Sequence, residues 1–215
     1  MSGSNALPSR LLVVTDRHQA AAPLEAIAAE ALRAGASWIW LRDRDMPRAE
    51  RRDLAAGLTA VAHRHGARLS IGGDVDLALE IAADGVHLAA GAPVAAARAR
   101  LGSRVLLGIS AHGEGDVAAA KAGGADYVTL SPIFPTGSKP GYGPALGIAG
   151  LARAARLEIP VLALGGVTAQ SAAGCLDAGA AGAAVMGEIM RAATRNGGVR
   201  DVVRTLSEAL RCAAA

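Results

Sequence analysis

The sequence lacks most features that mark exported, zinc-binding or membrane-embedded proteins. Its two cysteines, Cys175 and Cys212, are too few and too far apart for a disulfide framework or a zinc site with ligand spacing. No run of about 18 apolar residues is present, and the first ten residues contain no apolar segment typical of a signal peptide. We therefore expect a soluble, cytoplasmic protein without an export signal or a membrane span.

Aromatic residues and clustered charge are also scarce. Aromatics make up 2% of a chain that is 52% hydrophobic, so the core must consist mainly of Ala, Leu, Val and Ile. The net charge is only +3, and the basic residues are scattered rather than gathered in a stripe. These features argue against nucleic acid as a partner. A chain of 215 residues fits one domain that is large enough to bury a sizeable core.

Eight short apolar runs alternate with alanine-rich amphipathic segments along the chain. Such runs, separated by helical patterns, are typical of parallel strands that are buried on both faces. The predicted strands are residues 11–15, 38–42, 68–71, 85–88, 105–109, 127–130, 160–164 and 182–186. The predicted helices are residues 23–34, 47–64, 76–82, 94–101, 114–123, 148–156, 168–178 and 198–211.

This alternation predicts an α/β protein, a single-domain (β/α)₈ TIM barrel over residues 11–213 that follows a flexible N-terminal lead of residues 1–10. A doubly wound open sheet is the alternative, but it needs a glycine-rich turn after the first strand, where the chain has Asp16-Arg17-His18-Gln19. Active sites of TIM barrels lie where the strands end. Polar residues at those ends are therefore the candidates for a site.

The second strand ends in two arginines, Arg42 and Arg44. Residues two apart on a strand point the same way, so the pair can bind phosphate or pyrophosphate oxygens. The alternative is a surface ion pair with Asp43 or Asp45.

The fifth strand is followed by Ser110-Ala111-His112. The Ser110 hydroxyl can bind a phosphate or a polar ring atom, and His112 can move a proton near neutral pH or have only a structural role. Another histidine, His87, lies in an apolar context and is expected inside the barrel.

The sixth strand leads into the loop SPIFPTGSKPGYG, residues 131–143. Thr136, Ser138 and Lys139 supply two hydroxyls and an ammonium group, and the glycines allow backbone N–H groups to approach an anion. A stiff surface turn is the alternative interpretation.

The seventh and eighth strands are followed by Gly165-Gly166 and by Met186-Gly187-Glu188. Loops at these two positions form the commonest phosphate site of TIM barrels. The minimal function predicted from the residues is thus binding of a phosphorylated small molecule.

The chain resembles the thiamine phosphate synthase/TenI family over nearly its whole length. The stretches that carry the resemblance are VVTDRHQ, WLRDRD, GGDVDLALEIAADGVHL, LGISAHG, GADYVTLSPIFPTGSKPG, PVLALGGVT and AGAAGAAVMGEI. The resemblance implies a TIM barrel that either condenses a pyrimidine diphosphate with a thiazole phosphate, releasing pyrophosphate with the help of Mg²⁺, or aromatises a thiazole phosphate without metal. It also implies contacts with these substrates at Arg42, Arg44, Ser110, Thr136, Lys139, Gly166, Met186 and Gly187.

Several positions depart from the synthase pattern of this family. Trp40 stands where synthases have glutamine, Gly72-Gly73 where they have Asn-Asp, and the run from Ala89 to Ala92 where they have Gly-Gln-Glu-Asp. Both aspartates expected to bind Mg²⁺ are thereby absent. The tautomerase branch has a histidine where this chain has Pro132.

Three hypotheses follow from the resemblance and its departures. The preferred one is a metal-independent tautomerase of a thiazole phosphate, with His112 or Glu188 as general acid and base and Lys139 as a further candidate catalytic residue. A divergent synthase, with Mg²⁺ at a relocated site or pyrophosphate bound mainly by arginines, is the first alternative. A non-catalytic protein that binds thiazole phosphate or thiamine phosphate is the second. The alanine-rich outer helices are compatible with homo-oligomer contacts.

Overall fold

All eight predicted strands are present in a computed structural model that describes residues 6–136, 144–194 and 198–211. The strands are β1 (Leu11–Val14), β2 (Trp38–Leu41), β3 (Arg68–Gly72), β4 (Gly85–Leu88), β5 (Leu106–Ala111), β6 (Tyr127–Leu130), β7 (Val161–Leu164) and β8 (Gly182–Val185). They pair in parallel in chain order, and β8 pairs with β1, so the barrel is closed. The predicted TIM barrel is confirmed, and the open sheet is wrong.

The helices surround the barrel and follow the predicted ranges within one or two residues. They are α1 (Leu24–Arg33), α2 (Arg48–Arg64), α3 (Val75–Glu80), α4 (Val94–Leu101), α5 (Glu114–Ala122), α6 (Gly147–Ala155), α7 (Ala169–Asp177), α8 (Gly187–Met190) and α9 (Gly198–Ala209). Helix α8 and a 3₁₀ turn at Ala192–Thr194 were not predicted, because elements this short show no periodicity. Across the described ranges, no helix combines the length and the apolar character needed to cross a bilayer.

Two predicted ranges extend past the described parts of the chain. Residues 1–5 of the predicted N-terminal lead and residues 212 and 213 of the predicted barrel range lie outside them.

Alternate residues of each strand face the barrel interior or the helices. Leu11 and Val13 of β1 pack in the layer between strands and helices, whereas Leu12 and Val14 belong to a separate cluster inside the barrel. That inner cluster also contains three of the five aromatic residues of the chain, Trp38, Trp40 and Tyr127. A chain poor in aromatics has therefore placed most of them at one location.

Small residues on neighbouring strands make room for these rings. A Cβ placed on Gly108 would overlap the Tyr127 ring and lie 2.5 Å from His87 Nδ1. A Cβ on Gly85 would lie 2.7 Å from Ser70 Oγ. The glycines of β4 and β5 are thus required by the side chains that they face, since interiors have no spare volume.

We predict opposite effects for two glycine-to-alanine substitutions. Gly108→Ala should lower the free energy of unfolding by about 1–3 kcal/mol, because the new methyl group overpacks the barrel interior. Gly57→Ala is the matched control: Gly57 lies exposed in the middle of α2 with no atom near the added Cβ, so the same change should raise stability by about 0.5–1 kcal/mol. Chemical denaturation measures both. Equal effects would contradict the packing argument.

Candidate active site

A cavity of about 610 Å³ opens at the carboxyl ends of the strands. This is the face on which TIM-barrel sites lie, and the volume suits a small-molecule ligand. The predicted site residues that line it are Arg42, Arg44, Ser110, His112, Thr136, Gly165, Gly166, Met186, Gly187 and Glu188. The other two predicted site residues, Ser138 and Lys139, lie outside the described residues.

The two-residue period of β2 explains how both arginines reach the cavity. Trp38 and Trp40 point into the barrel from β2. The same alternation, continued past the end of the strand, directs Arg42 and Arg44 to the mouth, where both line the cavity. One column of side chains therefore runs from the core to the site.

Arg42 is held in place by groups at the end of β1. Its guanidinium lies 2.9 Å from the carboxylate of Asp16, which is almost fully buried. Its backbone N–H donates to Thr15 Oγ1 at 3.1 Å, and Thr15 in turn donates to the buried Asp43. The alternative of a surface ion pair with Asp43 or Asp45 is wrong for Arg42, because its partner is Asp16. The charge of this arginine is thus partly neutralised and its position is fixed.

Arg44 differs from Arg42, because it forms no ion pair or hydrogen bond with any residue in the described ranges. Its side chain lies over Gly73, where a Cβ would overlap Arg44 Cδ. Gly73 also has a positive φ of 69°, which favours glycine. The position of this cation therefore depends on a glycine beneath it.

Trp40 forms part of the cavity floor. Its side chain is buried, and its ring lies 3.8 Å from the His87 ring, centroid to centroid, at an interplanar angle of 36°. Its Nε1 lies so close to residue 72 that only glycine fits at that position, because a Cβ on Gly72 would lie 2.9 Å from Nε1. The indole N–H has no hydrogen-bond partner among the residues that the structure describes. The large side chain therefore points into the barrel mouth rather than into the helix layer.

The residues at this part of the mouth do not fit a Mg²⁺ site. Mg²⁺ needs oxygen ligands, usually including one or two carboxylates, whereas Gly73 and Ala92 stand at the two positions where the resemblance implies aspartates. The nearest acid, Asp74, accepts the Leu77 N–H at 2.8 Å and caps α3. No group of three or more His, Cys, Asp or Glu side chains that could hold a metal occurs within the described ranges.

His112 lines the cavity one residue after β5. Its Nδ1 lies 2.9 Å from the Ser131 carbonyl oxygen, which can only accept a hydrogen bond, so Nδ1 carries the ring proton of the neutral form. Its backbone N–H donates to Asp116 at 2.8 Å. The neutral ring therefore has its lone pair on Nε2, as a general base requires.

The loop after β6 is fastened to the end of β7. Backbone N–H groups of Ile133 and Phe134 donate at 2.9 Å to the carbonyls of Leu164 and Gly165. A Cβ on Gly166 would lie 2.6 Å from the Pro135 carbonyl oxygen, and Gly166 has a positive φ of 65°. This close approach brings Thr136 to the cavity wall.

The loops after β7 and β8 meet on the same side of the cavity. Gly165 and Gly166 precede α7, whose first turn is closed by a capping box between Thr168 and Ser171. Met186 and Gly187 lead directly into α8. Glycines at these positions leave backbone N–H groups close to the cavity, which is the arrangement that phosphate oxygens favour.

Beneath the floor, His87 connects Ser110 to buried polar groups. His87 Nδ1 lies 3.0 Å from the Tyr127 hydroxyl, and Nε2 lies 3.1 Å from Ser110 Oγ and 3.2 Å from Thr129 Oγ1. Burial, with a smaller contribution from the charge of Arg44, lowers the pKa of His87 from 6.5 to about 3. The ring is thus neutral at physiological pH, and the expectation that it lies inside the barrel is confirmed.

Sequence reasoning missed several groups around the cavity. Asp16 and Thr15 follow the first strand, and the rule that strand ends carry the chemistry could have found them. Thr168 and Arg191 line the cavity itself, whereas Thr15 and Asp16 lie behind Arg42. No pattern in the sequence indicates that Arg191 reaches the site, because it follows the unpredicted helix α8.

Comparison with known proteins identifies close relatives of the chain. The sequence profile of a family described as "Thiamine monophosphate synthase" matches residues 11–189. A Geobacter sulfurreducens protein named "Putative thiamine-phosphate synthase" is 45% identical over 183 residues, which cover 84% of this chain and 86% of that protein. A Methanospirillum hungatei protein named "Thiamine-phosphate synthase" is 38% identical over 167 residues, covering 76% of this chain and 81% of the relative.

A solved structure gives the same result at the level of the fold. The structure of thiamine phosphate pyrophosphorylase from Pyrococcus furiosus superposes with a TM-score of 0.84 at 28% sequence identity. The superposition covers 95% of this chain and 96% of the other.

The buried His87 predicts a specific loss of stability in acid. The folded state keeps this ring neutral down to about pH 3, whereas the unfolded chain binds a proton at His87 below about pH 6.5. The contribution of the neutral His87 to the free energy of unfolding is therefore fully present above about pH 6.5 and is lost as the pH falls. The free-energy advantage of the wild-type protein over His87→Gln should shrink by about 1.4 kcal/mol for each pH unit between about 5.5 and 3.5. Denaturant unfolding of both proteins at several pH values measures it. A difference that does not change with pH would contradict a neutral, buried His87.

Proposed function

Because the chain belongs to the thiamine monophosphate synthase family, an enzyme family of thiamine biosynthesis, we propose that it binds a phosphorylated thiazole and catalyses its metal-independent tautomerisation. One observation carries this proposal: the Trp40 indole and the Arg44 side chain lie over Gly72 and Gly73. They fill the part of the mouth where the family resemblance implies the Asn-Asp pair and a metal. The phosphate cradle on the opposite loops keeps its glycines.

The cradle supports the phosphate half of the proposal. The substrate phosphate lies against the loops after β7 and β8, where Gly165, Gly166 and Gly187 allow close approach to backbone N–H groups. Thr136 adds a hydroxyl from the neighbouring loop. Lys139 and Ser138 remain predicted contacts of the same phosphate.

The mouth provides groups for the proton transfer. In tautomerisation, one carbon of the non-aromatic thiazole loses a proton and another carbon gains one, so the composition of the substrate does not change. The neutral His112 ring has its lone pair on Nε2 and takes the first proton, and the resulting imidazolium returns it to the other carbon. Alternatively, Glu188 in its carboxylic acid form donates the second proton and is then reprotonated by the imidazolium, so that both side chains return to their starting states. Arg44, a cation of the mouth with no ion pair among the described residues, stabilises negative charge that develops on the ring.

We predict that the purified protein converts the non-aromatic thiazole phosphate to the aromatic one in the presence of a metal chelator. His112→Gln should lower kcat by about 10²- to 10⁴-fold, because it removes the proposed base. Ultraviolet absorbance of the aromatic ring gives the rate. His65→Gln is the matched control, since His65 is exposed at the end of α2, and it should leave kcat unchanged.

Two outcomes would overturn this proposal. One is full activity of both His112→Gln and Glu188→Gln, which would exclude the proposed acid and base. The other is binding of thiazole phosphate without turnover of either tautomer, which is the behaviour of a non-catalytic binding protein.

A divergent synthase is the second candidate, favoured by the names of the relatives. The proteins that are 45% and 38% identical are both named as thiamine-phosphate synthases. Arg42 and Arg44 share the cavity with Ser110 and Thr136, so one mouth contains cations and hydroxyls that can hold a pyrophosphate leaving group. In this candidate, arginines provide much of the charge stabilisation that carboxylate-bound Mg²⁺ provides elsewhere.

A condensation assay separates the two candidates. Under the tautomerase proposal, the protein incubated with pyrimidine diphosphate, aromatic thiazole phosphate and Mg²⁺ forms no thiamine phosphate, because the mouth lacks the two aspartates that the resemblance implies for Mg²⁺ and has the Trp40 ring at its floor. Liquid chromatography measures the product. Formation of thiamine phosphate that is lost in Arg44→Ala but kept in Arg64→Ala, a change at an exposed arginine of α2, would instead establish the synthase.

A further inference from the structure

An exposed arginine that the proposed function does not use lines the cavity beside the loop after β8. Arg191 follows α8 and lies at the cavity wall together with Gly187 and Glu188. Its backbone N–H donates to the Gly187 carbonyl at 3.1 Å, so the two residues are one helical turn apart and share a face. The Arg191 side chain therefore begins next to a glycine of the proposed phosphate cradle.

A neutral amide, rather than an acid, holds the guanidinium of this arginine. Arg191 Nη1 donates to Gln19 Oε1 at 2.5 Å. Within the described ranges Arg191 forms no ion pair, not even with Glu188, which lies three residues earlier on the same turn. Its positive charge is therefore positioned without being neutralised, in contrast to that of Arg42, which is paired with the buried Asp16.

Gln19 is in turn held by Asp16. Its Nε2 donates to Asp16 Oδ2 at 2.7 Å, and the same oxygen lies 2.9 Å from the guanidinium of Arg42. A guanidinium can only donate and a carboxylate can only accept, so one orientation of the Gln19 amide satisfies both neighbours. A glutamate at residue 19 would instead neutralise Arg191 and lie against the like charge of Asp16. An amide therefore suits this position better than an acid.

These contacts form a row along one side of the mouth. Strand β8 pairs with β1, and β1 pairs with β2, so the loops after these three strands are neighbours. Arg191 is at the β8 end of the row, beside the cradle, and Arg42 is at the β2 end. An anion in the cradle thus lies beside the member of the row whose charge has no acid partner among the described residues.

We propose that Arg191 is a specificity-determining residue that binds the phosphate group of the substrate at the rim of the cradle, in a position set by Gln19. A guanidinium has five N–H donors, and the bond to Gln19 uses only one of them. The others can form paired hydrogen bonds to phosphate oxygens. The arrangement selects a small ring with a phosphate ester over the same ring with a plain alcohol. The identity of the ring rests on the proposed function, whereas recognition of phosphate by Arg191 does not.

Calorimetric titration with thiazole phosphate, and with the same thiazole without its phosphate group, tests the contact. Arg191→Gln should weaken binding of the phosphate by about tenfold, because it removes a charge-assisted contact, and should leave binding of the alcohol unchanged. Arg191→Lys should retain part of the affinity, since it keeps the charge but not the paired donors. Arg64→Gln, the same change at an exposed arginine of α2, is the control and should bind as the wild type does.

Variants of Gln19 test how Arg191 is positioned. Gln19→Ala should weaken binding of thiazole phosphate by a smaller factor than Arg191→Gln does, because the charge is kept but is no longer held in place. Gln19→Glu should weaken it more than Gln19→Ala does, since the new carboxylate neutralises Arg191. In the Arg191→Gln background, Gln19→Ala should have no further effect. Factors for the two changes that multiply would overturn the positioning by Gln19.

Failure of this inference and failure of the proposed function give different results. Binding of thiazole phosphate by the wild type with the same affinity in Arg191→Gln, or an equal loss for the phosphate and the alcohol, would overturn the role of Arg191 and leave the proposed function standing. A wild-type protein that does not bind thiazole phosphate would contradict the proposed function, and the variants are then titrated with inorganic phosphate. Arg191→Gln should weaken that anion too, whereas unchanged affinity or no binding of phosphate by the wild type would overturn the inference.

Discussion

The packing of three aromatic rings and a histidine inside a closed eight-strand barrel is the constraint on which the rest of the structure depends. Trp38, Trp40, Tyr127 and His87 fill an interior that is bounded by parallel strands on all sides. Because close-packed interiors leave no spare volume, the neighbouring strands must have glycine at residues 72, 85 and 108. The same inward columns continue upward into Arg42, Ser110 and His112, so the packing of the core determines where the polar groups of the mouth lie.

The departures from the synthase pattern are physically linked. The Trp40 indole needs the missing Cβ of Gly72, and the Arg44 side chain needs the missing Cβ and the positive φ of Gly73. An aspartate at residue 73 cannot coexist with Arg44 in its present position. Gly73 and Ala92 in place of two acids, with the cation of Arg44 over Gly73, also leave this part of the mouth with electrostatics that suit an anion better than a metal ion. Arg42, held by Asp16, contributes less free charge than Arg44.

The sequence predicts features that depend on local periodicity and position along a strand. Buried parallel strands have a continuous apolar pattern, so the barrel and the strand-end residues Arg42, Ser110 and His112 could be inferred from it. Long-range pairing has no such pattern: nothing in the sequence indicates that Asp16 rather than Asp43 or Asp45 faces Arg42, since that depends on how β1 and β2 pair. Short elements such as α8 escape periodicity, and Ser138 and Lys139 lie outside the described residues.

The floor of the cavity meets the buried polar groups beneath it where the Trp40 ring contacts His87. The Trp40 ring stacks on His87 at 3.8 Å and, with the barrel wall, keeps water from that ring. Displacement of the indole by a second ring of a ligand would expose His87 and reduce the burial that keeps it neutral. Hydration of His87 would also weaken its hydrogen bond with Ser110. A compact phosphorylated ring that leaves Trp40 in place avoids both costs, and this is the physical basis of the proposed one-substrate reaction.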